Sequence, residues 1–372
     1  MTDAVPESRR AFRELLDLLG EMEERYAGEE WGVSSPDDVA ESLRAVLHLL
    51  EASLATRVES WPEHPFLREF PLPTRKFLGD NPDAIYYETA IAPGHRYRLR
   101  GNRADAVYVS ITIEAGAPDG EFSRDTAGVI NDSEFDIAPD GSFEIRIGGE
   151  SEERNWLALP DDASRITTRH YFEGEEPAVR SHPHLDFEIE VEGPVSPPDP
   201  PGDANVAASI RRVANFIRTS SLDMGAPATR TNQPDFVSRV PNQFNRPVKP
   251  GNHALAAADA AYSMAPFVIG PDQALVMKGR WPDDCRCANV CLWNRHMQTF
   301  DYLNRQVALN RKQTRLEADG SFRIVVAHED PGVPNWLDTE GRPFGMVFWR
   351  YMLPTGEVEA IEAEVVPIDS LR

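Results

Sequence analysis

The stretch at 319–352, DGSFRIVVAHEDPGVPNWLDTEGRPFGMVFWRYM, decides the fold, because a divergent copy stands at 140–172 as DGSFEIRIGGESEERNWLALPDDASRITTRHYF. Asp140-Gly141-Ser142-Phe143 returns as Asp319-Gly320-Ser321-Phe322 at an offset of 179, Asn155-Trp156-Leu157 as Asn335-Trp336-Leu337 at 180, and Arg169 as Arg350 at 181. Loop insertions between paired strands leave such a slowly growing offset, so the chain reads as an internal duplication. In each copy Asp-Gly supplies a tight turn, since glycine takes the positive φ that the turn needs. The Phe-x-Ile-x-Ile or Phe-x-Ile-x-Val that follows alternates as a half-buried strand does. A polar loop then ends in Asn-Trp-Leu and gives way to a β-branched or aromatic run carrying the repeated Arg. The run at 344–352 is apolar on both faces, which places it centrally in its sheet.

On either side the pattern continues. Strands are expected at 86–91, 97–100, 106–114, 134–137, 142–147, 165–172 and 185–191, which form a first β-module over 61–195. A second module spans 265–372, where Leu275-Val276-Met277-Lys278-Gly279 matches Tyr97-Arg98-Leu99-Arg100-Gly101 and the alternation at 357–366 makes a closing strand. Short strands between turn signals indicate a sandwich or jelly roll rather than a βαβ fold. Between the modules, 196–264 opens with a stiff polyproline-type linker, SPPDPPGD. It continues with a helix over 203–220, capped by Asp203 and carrying Val206, Ile210, Val213 and Ile217 on one face, and a short Ala-rich helix at 254–262.

The N-terminal segment, 1–60, holds two helices. The first, 7–27, spaces Phe12, Leu15, Leu16, Leu19, Met22 and Tyr26 helically. The second, 36–56, starts on a Ser35 cap with Pro36, Asp37 and Asp38 in its first turn and has an apolar stripe of Val39, Leu43, Val46, Leu47 and Leu50. Such helices dock on a sheet or mediate dimerisation. The expected fold is therefore mainly β with accessory helices: two duplicated antiparallel β-sandwich or jelly-roll-like modules plus N-terminal and linker α-helices.

Composition narrows function. With 41% hydrophobic and 27% charged residues the chain is not disordered by default. A net charge of −23 argues against nucleic acid and anionic membrane as partners. No basic start with an apolar core marks a secretory leader, and no run of about 18 apolar residues could span a membrane. Three cysteines within seven positions fit a reducing cytoplasm better than a disulfide framework. Cys285, Cys287 and Cys291 share one strand parity, which is poor geometry for structural zinc, so no metal is expected. His182-Pro183-His184 lacks the carboxylate and the later His of a cupin site, and reads as an exposed turn.

Candidate site residues come from what the two copies do not share. In 107–114 Val107, Val109, Ile111 and Ile113 form one face, and Tyr108, Ser110, Thr112 and Glu114 the other. In the matching strand Ala288, Val290 and Leu292 take the core face, leaving Cys287, Asn289, Cys291 and Trp293, continuing to Arg295, on the face that is polar in the first copy. An Asn–Trp–Arg face suits a pocket wall, and equally a second core layer. His296, followed by Asp301 and Tyr302, has no counterpart in the first copy and offers a His–Asp general-base pair, with no Gly-x-Ser-x-Gly elbow beside it. No Walker motif or Gly-x-Gly-x-x-Gly is present, so no nucleotide cofactor is expected. Arg169 and Arg350 need partners if buried, with Asp301, Asp330 and Asp338 as candidates. Each is read as a structural clamp or as an anion-binding group. Trp156 and Trp336 read as sheet-end plugs whose indole N–H meets a loop carbonyl.

Glu329-Asp330-Pro331-Gly332, Asn335-Trp336-Leu337-Asp338-Thr339 and Phe348-Trp349-Arg350-Tyr351, with the Asp-Gly-Ser-Phe turns and upstream Asn81-Pro82-Asp83 and Tyr86, resemble the domain of unknown function 1214 family. That family is often found beside domain 1254 in bacterial proteins. The resemblance covers about 75–175 and 265–367. It implies a β-sandwich, jelly-roll-like core and transfers no catalytic residue. Where relatives tend to have an aromatic-rich strand, this chain has Cys285-Arg286-Cys287-Ala288-Asn289. Two functions stay open. One is an enzyme acting on a hydroxylated small molecule, sugar-like or a polar lipid, through His296 and Asp301 with Arg295 or Arg350 stabilising charge. The other is a non-catalytic ligand-binding or protein-interaction scaffold, a homodimer among its forms. The expected site lies mainly in the second module, walled by Asn289, Trp293, Arg295 and His296 with Tyr302, Trp336 and Arg350 nearby. Burial against the other module is its rival.

Overall fold

The computed structural model describes residues 5–227, 229–230, 233–251 and 255–371. The N-terminal segment forms α1 (Glu7–Glu21), which runs into one π turn at Met22–Tyr26, and α2 (Pro36–Arg57). The Ser35 hydroxyl accepts from the Asp38 amide at 3.1 Å while the Asp38 carboxylate accepts from the Ser35 amide at 3.1 Å, a capping box that fixes the start of α2. The buried faces differ from the expected stripes: Leu15, Leu18, Met22 and Tyr26 point inward from the first helix, and Ala45, Val46, Leu49 and Ala52 from the second. Phe12, Leu16, Val39, Leu43 and Leu47 remain exposed.

The first module comprises β1 (Arg68–Glu69), β2 (Ala84–Ala90), β3 (Tyr97–Asn102), β4 (Tyr108–Ala115), β5 (Asp125–Asn131), β6 (Ser142–Ile147), β7 (Trp156–Leu157), β8 (Ala163–Tyr171), the short helix α3 (Ala178–Ser181) and β9 (Phe187–Val191). After α4 (Asp203–Thr219), the second module comprises β10 (Ala260–Val268), β11 (Gln273–Gly279), β12 (Cys287–Trp293), β13 (Ala308–Asn310), β14 (Phe322–Ala327), β15 (Trp336–Asp338), β16 (Phe344–Met352) and β17 (Glu362–Pro367). Strand order is β1-β2-β8-β4-β5 and β7-β6-β3-β9 in the first module, and β10-β16-β12-β13 and β15-β14-β11-β17 in the second. Apart from β1 the orders are equivalent strand for strand, including one parallel pair in each half, β6 with β7 and β14 with β15. The duplication is thus one of topology.

The repeated motifs have mechanical roles. Asn155 and Asn335 both sit at positive φ, 57° and 59°, and each donates from Nδ2 across its loop, to the Glu144 carbonyl at 2.8 Å and the Arg323 carbonyl at 3.0 Å. The next residue, Trp156 or Trp336, donates its indole N–H to the Gly148 carbonyl at 3.0 Å or the Ala327 carbonyl at 3.1 Å, as a sheet-end plug should. Phe143 and Phe322 lie over glycines on the paired strand, Gly101 and Gly279, where a Cβ would come within 2.7 and 2.8 Å of the ring.

Three local expectations fail. The strand expected at 134–137 is a loop, and the strand before it is β5, whose Gly128 interrupts the alternation that would reveal it. Asp203 does not cap its own helix, whose N-cap is Gly202. Its carboxylate accepts instead from the open amides of α1, Glu7 at 2.8 Å and Ser8 at 3.0 Å, and from the Ser8 hydroxyl at 2.6 Å, tying α4 to α1. Of the Ala-rich helix, Ala254 lies outside the described residues, and from Ala260 onward the chain is β10, paired with β16 along its whole length. Pairing overrides alanine's helical preference there.

The four sheets stack as four layers. Val109, Ile111 and Ile113 of β4 meet Leu99, Ile145 and Ile147 in the core of the first module. Val290, Leu292 and Trp349 meet Met277, Phe322 and Ile324 in that of the second. Between the two inner sheets lies a third buried layer, built by Tyr86, Tyr108 and Tyr171 from one side and Tyr262, Met264, Cys287, Cys291, Trp293 and Phe348 from the other. This accounts for β2, β4, β8, β12 and most of β16 being buried on both faces.

Candidate functional site

The face of β12 that the sequence offers as a pocket wall or a second core layer lies in the layer between the modules, and its partner is the polar face of β4. Ser110, Thr112 and Glu114 are buried, as are Asn289 and Trp293. Asn289 Nδ2 donates to Asn81 Oδ1 at 2.6 Å and to Asp83 Oδ2 at 2.7 Å, and Asn310 Nδ2 donates to Asp83 Oδ1 at 3.0 Å. One carboxylate on the lead-in to β2 therefore receives two amides of the second module. Burial pushes Asp83 up to about 6 against those two donors. Trp293 stacks on Phe348 with ring centres 4.2 Å apart and donates to the Asp80 carbonyl at 3.0 Å. Lys76, also buried, reaches the Thr299 hydroxyl at 2.6 Å and the Phe300 carbonyl at 3.0 Å, with Asp80 at 3.8 Å.

The duplicated arginines occupy equivalent central strands and point into this layer. Arg169 meets the Thr112 hydroxyl at 2.7 Å, the Leu255 carbonyl at 3.0 Å and Glu114 at 3.8 Å. Arg350 has a different environment: its guanidinium carbon lies 4.8 Å from the Phe348 ring centre, 5.7 Å from Tyr262 and 5.9 Å from Tyr171, and one nitrogen donates to the Gly79 carbonyl at 3.4 Å. The expected aspartate partners are elsewhere. Asp338 pairs with Arg305 at 2.6 Å, Asp330 accepts from Gly332, and Asp301 accepts from Asn304. A cavity of about 10 Å³, room for one water, is lined by Arg350, Asp83, Asn289, Asn310 and Cys287 among others. Burial raises the Cys291 thiol to about 12 and Cys287 well above its usual value, so neither is a thiolate at neutral pH.

The other site residues are dispersed. His296 is buried under the N-terminal helices, stacked on Tyr26 at 4.3 Å with its Nε2 at 2.8 Å from the Ser42 hydroxyl, and it shares no hydrogen bond with Asp301. Arg295 pairs with Asp38 at the start of α2. Tyr302 carries the Lys76 ammonium 4.4 Å from its ring centre. Trp336 packs on the far face of the second module with Val333 and Val366. The general-base pair is thus not assembled, because the turn after β12 sends His296 to the helices. Asp80, Asn310 and Lys76 carry no local signal in the sequence that marks these roles. Asn81-Pro82-Asp83 was visible as a motif, but only tertiary pairing gives it a role. Among the described residues no group of three or more His, Cys, Asp or Glu is placed to hold a metal, and no helix is long and apolar enough to cross a membrane.

Burial and the nearby Arg295 charge push the His296 imidazole down to about 3. The unfolded chain takes up a proton near pH 6.5 that the folded chain refuses, so this residue destabilises the fold progressively as pH falls from 6.5 to 3. His296→Phe keeps the stack on Tyr26, and its urea-unfolding free energy is expected to fall less than that of the parent by about 1.4 kcal/mol per pH unit within that window. Parallel curves for the two proteins would show that His296 is not buried neutral.

A larger concavity, about 1110 Å³, lies away from the module interface. Phe12 and Leu15 of α1, Leu54 of α2 and Val58 just past its end, and Val206, Ile210 and Val213 of α4 give it an apolar lining. Trp61 and the polyproline run at 196–201 form another side, and Glu59, Glu63, His64 and His95 bring polar groups to it. His64 Nε2 lies 2.7 Å from the Ser196 carbonyl, which anchors the linker, and His95 lies 3.6 Å from Glu63.

Two regions, 88–173 and 289–355, match the family model described as a protein of unknown function, DUF1214. Both modules thus match the same family model. The first DUF1214 region runs from within β2 to just past β8 and the second from within β12 to just past β16, so the pair holds Glu114, Arg169, Asn289 and Arg350 of the interface. A crystal structure of an uncharacterised protein from Burkholderia cenocepacia matches with a TM-score of 0.85 at 24% identity, over 98% of both chains. The VPA0106 protein from Vibrio parahaemolyticus matches at 0.50 and 12% identity, over 95% of this chain and 100% of that one. At these identities the likeness is one of fold. None of the curated proteins matches the chain.

Proposed function

We propose that the chain is a non-catalytic binding protein whose ligand is a polar lipid lying in the groove between α1, α2, α4 and the polyproline segment. The observation that carries this is the groove itself: an apolar lining with carboxylates and imidazoles gathered beside it, the combination that suits an alkyl chain with a hydroxylated head. The acidic net charge favours a neutral head over an anionic one. The acid–base alternative has no comparable support, since His296 hydrogen-bonds Ser42 and Asp301 its own loop.

Titrating delipidated protein with a fluorescent monoacylglycerol should give saturable binding at one site. Val206→Glu places a carboxylate in the apolar lining at a position 38% exposed, where folding tolerates it. It is expected to weaken binding by about tenfold or more, the cost of burying part of that charge against an alkyl chain. Absence of saturable binding in the parent, or equal affinity in the variant, would refute the proposal.

A further inference from the structure

α2 carries a second apolar face beside the one it buries, and of that face's four leucines only Leu50 packs partly against the helical core. Ala45, Val46, Leu49 and Ala52 face the helical core, whereas Leu43, Leu47 and Leu54 are 36%, 65% and 46% exposed and Leu50 is half-buried. Leu43, Leu47, Leu50 and Leu54 are spaced four, three and four apart, the seam of a two-helix coiled coil, on a helix roughly 33 Å long. Arg44 and Glu51, both exposed, lie seven residues apart on the same flank of that seam. Arg44 makes no ion pair among the described residues, and Glu51 has only Arg75 at 3.8 Å.

We propose that this face pairs with a second copy of the chain, α2 against α2 in antiparallel register about a two-fold axis. A two-fold axis perpendicular to the helices brings the same flank of both together. With Leu47 set against Leu50 of the other copy and Leu43 against Leu54, Arg44 falls within one turn of the other copy's Glu51, and the pair forms twice. That charge complementarity selects a second copy over an unrelated helix, and antiparallel over parallel pairing, in which the flank carrying Arg44 and Glu51 would meet the opposite flank, with Val39, Val46 and Ser53, and the ion pairs would not form. It also disfavours an anionic lipid surface, toward which Glu51 and Asp37 on this face would be repelled. The seam borders the groove at Leu54, but the pairing does not depend on any ligand being there.

Sedimentation equilibrium of the full chain over a concentration series tests this. The parent is expected to reach twice the chain mass. Leu47→Glu should remain at the chain mass with an unchanged melting temperature, because Leu47 points into solvent in the single copy. Arg44→Glu and Glu51→Arg should each weaken association by about tenfold, and the combined Arg44→Glu, Glu51→Arg chain should regain it, since each swapped charge again meets its opposite. A parent that stays at the chain mass, or a Leu47→Glu variant that still doubles, overturns the interface. Failure of the combined variant to regain association overturns the antiparallel register.

Discussion

Replacing Glu88 by Ala is expected to cost about 3–5 kcal/mol of stability, read from urea unfolding, because it leaves two buried guanidinium groups without their shared counter-ion. Glu88 on β2 accepts from Arg57 at 2.6 Å and from Arg165 at 3.0 and 3.2 Å, with all three side chains buried. Arg57 is the last residue of α2 and Arg165 belongs to β8, so this cluster docks the helical segment on the first module. Burial alone would raise the carboxyl, but Arg165 and Arg57 outweigh it and hold Glu88 at about 2. A depressed carboxyl contributes its stability above pH 4.5 and loses it as pH falls through 2, amounting to about 3 kcal/mol. The Ala variant should therefore lack that part of the acid transition. A loss below about 1 kcal/mol, the range of an exposed ion pair, would mean that water reaches the cluster.

Trp293→Ala is expected to cost a similar 3–5 kcal/mol, as a large buried aromatic does when truncated. Its ring is 1% exposed and stacked on Phe348 between the two inner sheets, and its N–H would leave the Asp80 carbonyl unpaired. Trp336→Ala serves as the contrast, since that side chain is half-buried on the outer face of the second module and should cost distinctly less. Were Trp293 the wall of a vacant pocket, the two substitutions would be comparable and the loss at 293 small. Equal small losses by urea unfolding would restore the pocket reading of this face.

The sequence by itself determined the duplication, the strand–turn–strand grammar of each copy, the Ser35 cap and the central place of β16. Those features rest on local chemistry: glycine at positive φ, period-two alternation, a hydroxyl next to open helix amides. Tertiary structure alone decided where the two-sided strands point. Alternation reports that a face is apolar or polar, not what lies opposite, so the polarity of Ser110, Thr112 and Glu114 does not show that the second module is set against them. The same limit hid the partners of Arg169 and Arg350, since Gly79, Thr112 and Glu114 lie on other elements, and sent Asp203 to α1 rather than its own helix. His296 and Asp301, five residues apart in the chain, are drawn to different partners by a turn whose direction no spacing records. Local periodicity fixes conformation residue by residue, whereas a site is a convergence of distant elements, and that convergence is set by how the modules and helices pack.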